Sequence, residues 1–133
     1  MTITHAQKIA GAFALTILCT VAGAVTPADQ LAGWVAQSGA PTQTARGQQL
    51  FTSKHGRAWS CASCHTAVPT VEGKHASTGK PIGPMAPAFN SGRFTDAAKS
   101  EKWFRRNCND VMRRECTAGE KADILAWLMT LKR

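Results

Sequence analysis

Residues 61–65 read Cys61-Ala62-Ser63-Cys64-His65, and no other feature of this 133-residue chain restricts its fold as much. Two thiols separated by two residues, with an imidazole directly after, form the pattern that attaches a haem covalently. Each sulfur can form a thioether to one vinyl group of a single porphyrin, and His65 is then placed beneath the ring to bind iron. A zinc site wants a second Cys or His pair at ligand spacing, and Cys108 with Cys116 is too widely spaced for one. A redox dithiol wants a strand before it and a helix after it inside an α/β fold. Here the flanks are rich in Gly, Ser and Thr and show no strand-like alternation.

The start of the chain fits that chemistry. MTITHAQK carries one cation, Lys8, and precedes an uncharged run from Ile9 to Val25 with a small-x-small site at Ala22-Gly23-Ala24. This is the layout of a secretory signal peptide, and the run falls short of the roughly 20 residues that span a bilayer. The expectation is a cleaved segment 1–24, a domain 25–133 in the periplasm, and no stable membrane insertion after cleavage. Cys19 lacks the small residues before it that lipoprotein processing wants, and goes with the discarded segment. Loss of Lys8 lowers the formal charge from +8 to +7. A basic surface suits nucleic acid, an anionic membrane or an acidic protein; with export and no nucleic-acid motif, a protein partner is expected. Cys61, Cys64, Cys108 and Cys116 remain, an even number for an exported chain.

Four helical stretches follow from the patterning. Pro27 to Ser38 sets Leu31, Trp34 and Val35 on one face and stops at Gly39. Thr44 to Thr52 is short, with Gly47, Leu50 and Phe51 on one side. A third stretch opens on a Thr95-Asp96 cap and runs to about Asn107 through Trp103 and Phe104. The last carries a Thr117…Glu120 capping box and continues through Ile124, Trp127 and Leu131. Between Thr66 and Phe94 the chain is rich in Pro and Gly, and a stretch so long is a functional loop, disorder or a cover for a bound ring.

This order of elements resembles a class I cytochrome c, an all-α fold in which the N- and C-terminal helices cross around one covalent haem. Gly47, Phe51 and Trp127 match the glycine and aromatic residues of that crossing. The second axial position on the iron decides what such a protein does. A thioether keeps the metal six-coordinate for electron transfer, whereas a weak oxygen donor favours the ferric state and can let go on reduction. Spacing alone favours Met112, which lies before Trp127 about where class I cytochromes place a ligand methionine. Met85 sits early, in a Pro-rich loop, and suits gap filling. His55 and His75 read as solvated loop residues.

The segments PMAPAFNSGRFTD, EKWFRRNCNDVMRREC and TAGEKADILAWL, with the CxxCH, are similar to the SHP-type (Sphaeroides haem protein) cytochromes c. What that resemblance implies is His65 and Asn107 as the iron ligands and a Cys108–Cys116 disulfide. Such a bridge holds the chain directly after Asn107; the competing reading is a plain staple with Asn107 as a helix C-cap. Met112 remains the alternative sixth ligand. The basic residues Lys102, Arg105, Arg106, Arg113 and Arg114 form either a solvated helix face or a guide for a negatively charged donor.

Three functions follow as expectations. In the first, Asn107 dissociates on reduction and a small diatomic ligand (O2, NO or CO) binds, with electrons from a partner such as a dihaem cytochrome c or a membrane b-type cytochrome. The second is a simple electron shuttle with His65/Met112 ligation. The third is an enzyme reducing oxygen or nitric oxide, for which the chain shows no distal acid–base pair beyond the loosely placed His55 and His75.

Overall fold

The computed structural model describes residues 24–133, so the expected signal segment, with Cys19, lies outside the described residues apart from Ala24. The first helix, α1 (Pro27–Ser38), starts at a reciprocal box. Thr26 Oγ1 accepts from Asp29 N at 3.1 Å while Asp29 accepts from Thr26 N at 2.9 Å. Gly39, at φ 65°, closes it in the left-handed region. After it come α2 (Thr44–Thr52), the single turn α3 (Ala62–His65), and the two-residue strands β1 (Gly73–Lys74) and β2 (Pro81–Ile82). The strands pair antiparallel, Gly73 opposite Ile82 and Lys74 opposite Pro81. Two longer helices complete the chain, α4 (Ala97–Met112), capped by Asp96, and α5 (Ala118–Thr130).

α5 is the axis of the core. Its residues Ala122 to Leu128 are buried without interruption, because both α1 and α2 pack against it. At the α2 crossing a Cβ on Gly47 would stand 2.0 Å from the Asp123 carbonyl oxygen, so only glycine fits. One turn further along each helix, Phe51 meets Trp127 with ring centroids 5.1 Å apart. Asp123, 1% exposed, is satisfied entirely from the α2 side, accepting from Gln43 N at 2.7 Å and from Arg46 Nε. α1 is tied to α4 by the edge-on contact of Trp34 and Phe104, 5.2 Å between centroids, and by Trp34 Nε1 donating to Glu101 at 2.6 Å. No helix among the described residues is long and apolar enough to cross a membrane.

The stretch expected to end near Asn107, now α4, runs on to Met112, where Arg113 at φ 60° stops it. Asn107 is therefore inside the helix, and the C-cap reading of it is wrong. Cys108 and Cys116 are joined as a disulfide, Cα atoms 5.6 Å apart, linking the last turns of α4 to the entry of α5. That loop contributes roughly 2–3 kcal/mol on the chain-entropy account.

The Gly47→Ala variant forces α2 off α5, and its unfolding free energy in urea is expected to fall by at least about 2 kcal/mol. A second prediction concerns acid. Glu120 accepts from Thr117 N at 2.8 Å and takes the Arg114 fork at 2.8 and 2.6 Å. The Arg114 hydrogen bond, foremost, holds its carboxyl below the usual glutamate range, with the Thr117 N–H adding to it. A depressed carboxyl stabilises the fold above its unfolded pKa and loses that contribution as pH falls through its folded one. Glu120→Gln is thus expected to cost under about 1 kcal/mol at pH 7, because the pair faces solvent. As pH falls through the lowered folded pKa of Glu120 the two proteins should converge, which parallel urea titrations down the acid range would show.

Candidate functional site

The CxxCH segment is folded by its own backbone. The Cys61 carbonyl accepts from Cys64 N at 3.2 Å and His65 N at 3.0 Å, making the turn α3 and setting Cys61 and His65 one above the other. Ser63 Oγ closes the front by accepting from Ser60 N at 3.0 Å. Directly after His65 the chain turns through Thr66 at φ 67°, a left-handed position that a β-branched residue rarely takes. Such strain persists only where the surroundings over-determine it. Here they do: β1 lies so close that a Cβ on Gly73 would stand 2.0 Å from the Cys64 carbonyl oxygen. Ala76 N then donates to Cys64 Sγ at 3.3 Å.

A cavity of about 910 Å³ opens in front of this turn, with Cys61, Cys64 and His65 on its wall. It is at the upper end of the ~300–1,000 Å³ typical of cofactor pockets. Phe51, Phe94, Phe104, Val111 and Ile124 line its apolar part. His65 Nδ1 is buried without a hydrogen-bond partner. Burial, and secondarily the charge of Arg93, push the imidazole down to about 4, so it is neutral with a lone pair free at ordinary pH. Burial raises the Cys61 thiol to about 11, the reverse of the depressed thiol that a redox dithiol needs. Among the described residues no group of three or more His, Cys, Asp or Glu could hold a metal ion by itself. Apolar walls, two free cysteines and a neutral, unpaired imidazole fit a covalent haem.

The other candidates divide. Asn107 lines the same cavity from the middle of α4, but Met112 does not. Five residues along a helix turn the side chain by about 140°, and Met112 packs against the hydrophobic core instead. Met85, expected to fill a gap, is on the cavity wall. His75, the expected partly solvated loop residue, also stands on that wall, with Nδ1 accepting from Thr78 N at 3.2 Å. His55 is spent on the Leu50 carbonyl at 2.8 Å. Of the five clustered cations only Arg106 reaches the wall, where it lies 5.6 Å over the Trp103 ring; Arg114 is held by Glu120. Sequence reasoning missed Gly73, Arg93 and the wall positions of Trp59 and Trp103, since nothing in their local pattern marks them.

Comparison with known proteins agrees with this geometry. Residues 37–128 match a family model described as a domain of unknown function, DUF1924. The chain is 48% identical over 112 residues to cytochrome c-type protein SHP of Cereibacter sphaeroides, covering 81% of this chain and 86% of that one. It is 45% identical over 80 residues to cytochrome c'' of Methylophilus methylotrophus, covering 60% and 56%. Among solved structures, oxidised SHP, described as an oxygen-binding cytochrome c, superposes with a TM-score of 0.76 at 48% identity, covering 82% of this chain and all of that one. Oxidised cytochrome c'' of M. methylotrophus superposes with a TM-score of 0.71 at 35% identity, covering 80% and 95%. The chain belongs to the DUF1924 family and, within the c-type cytochromes that carry a single covalent haem, to the SHP type.

Proposed function

We propose that this chain is an exported cytochrome whose iron is held by His65 and, when oxidised, by Asn107, and which admits a small diatomic ligand once reduced. The observation that carries the reading is the shared wall: Asn107 faces the cavity that also takes Cys61, Cys64 and His65, and Met112 does not. When bound, the haem would supply a reversible one-electron iron centre able to take a gas such as O2, NO or CO. Cys61 and Cys64 fix it through thioethers. His65 offers a neutral nitrogen from a turn that Gly73 packs against. Asn107 offers an amide oxygen, a hard and weak donor that suits ferric iron better than ferrous. That SHP is described as oxygen-binding supports the same property here. Electrons would come from a partner cytochrome in the periplasm, such as a dihaem cytochrome c or a membrane b-type cytochrome.

Two experiments test this. In the absorption spectrum of the ferric protein the long-wavelength sulfur-to-iron band should be absent, and neither Met112→Ala nor Met85→Leu should alter the spectrum. Asn107→Ala should change the ferric spectrum while leaving carbon monoxide binding to the reduced protein intact. A sulfur band lost in Met85→Leu or Met112→Ala would replace Asn107 with that methionine. Separately, Gly73→Ala displaces the Cys64 carbonyl, and the yield of covalent haem, read from the alkaline pyridine spectrum, should drop several-fold while Gly33→Ala, on α1 with open space around it, leaves it largely unchanged.

A further inference from the structure

Arg93 is a cation that the polypeptide leaves without a counter-charge. Its guanidinium is held along one edge only, Nε donating to the Pro84 carbonyl at 2.9 Å and Nη2 to the Gly83 carbonyl at 2.7 Å. A guanidinium has five N–H groups in a rigid fork, so the opposite edge stays available. The residue is half-buried on the wall of the cavity, beside Gly83 and Phe94. All three ion pairs among the described residues are made elsewhere, by Arg46, Arg114 and Lys121. Asp96, an acid on the same wall, is occupied in capping α4 through Lys99 N at 2.9 Å. Burial holds Arg93 below the usual arginine range, with no carboxylate to offset it.

A half-buried, uncompensated cation is costly unless something in the finished protein answers it. The side chain is also aimed, because two backbone carbonyls fix its plane. The ligand such a fork fits best is a carboxylate, taken bidentately. Resting on the haem reading above, we propose that Arg93 is the clamp for a haem propionate. The Gly83-Pro84 carbonyls orient the guanidinium, its free edge receives the carboxylate, and the ring is thereby set in one orientation within the cavity. The same charge, close enough to bear on His65, offsets the propionate's negative field at the iron and so favours the reduced state.

The test uses wild-type holoprotein and the variants Arg93→Gln, Arg93→Lys and Arg105→Gln, the last an exposed cation off the cavity wall. Covalent haem is counted by the alkaline pyridine spectrum, the propionate bending mode is read by resonance Raman, and the reduction potential is titrated at pH 7. Arg93→Gln should keep its haem, shift the bending mode and lower the potential. Arg93→Lys should recover most of the potential, since the charge is restored, but not the mode, since the fork is lost. Arg105→Gln should match wild type in both. A role confined to bracing the Gly83-Pro84 loop would leave the bending mode in place, and an unmoved mode in Arg93→Gln overturns the proposal. If that variant does not accumulate, the mode in Arg93→Lys decides in the same way. Colourless wild-type protein would instead remove the haem reading on which the proposal stands.

Discussion

Where α2 crosses α5, the Gly47 backbone rests against the Asp123 carbonyl with no room for a methyl group. That one close approach fixes much of what lies around it. The Asp123 carboxylate would be an expensive buried charge, but the same crossing brings Gln43 N and Arg46 to it. One turn on, Phe51 is pressed onto Trp127, and its other neighbour is the His65 ring at 6.1 Å. The position of the imidazole therefore descends, contact by contact, from a helix crossing far along the chain. A loosening at Gly47 would be felt at His65 without touching any residue of the CxxCH turn.

The opposite wall is built from chain with almost no regular structure, yet it is pinned at a few points. Met85 N and Ala86 N both donate to the carbonyl of the buried Pro69, at 3.0 and 3.1 Å. Gly73 abuts Cys64, and Arg93 spans ten residues to the Gly83 carbonyl. Each pin joins positions distant in sequence, so beyond the short β1–β2 pairing the stretch from Thr66 to Phe94 is a folded surface and not a linker. Its proline and glycine content excludes helix over most of its length, and the backbone groups left over are free to make these cross-links. A haem against this surface would supply the apolar contact that scattered wall side chains such as Ile82 and Met85 do not give one another.

The helices were legible because their signals are local. The stop at Gly39 and the capping box at Thr117 set the end of α1 and the start of α5 from neighbouring residues alone. The end of α4 was not legible: Asn-Cys-Asn reads as a terminus, and only the disulfide and the left-handed Arg113 show that the helix continues. In the site, Cys61, Cys64 and His65 form a contiguous motif, so the sequence names them outright. Asn107 entered through resemblance, since spacing pointed to Met112. Arg93, Gly73 and His75 owe their places to the fold of an irregular segment, and irregular backbone leaves no periodicity to read.

The placement of Asn107 inside a helix alters how ligand release can work. Had Asn107 and Met112 sat on a loop, a few ångströms of motion could exchange one for the other. On α4 they point about 140° apart, and Met112 is already committed to the core. Exchange would require unwinding the last turns of a helix that a disulfide ties to α5. The proposed detachment needs far less. A short amide with two side-chain torsions can swing within the cavity while its backbone stays fixed, and no stronger donor on the same helix follows it in. Weak binding by one small side chain, on a backbone that does not move, is what would keep the vacated position open to a gas.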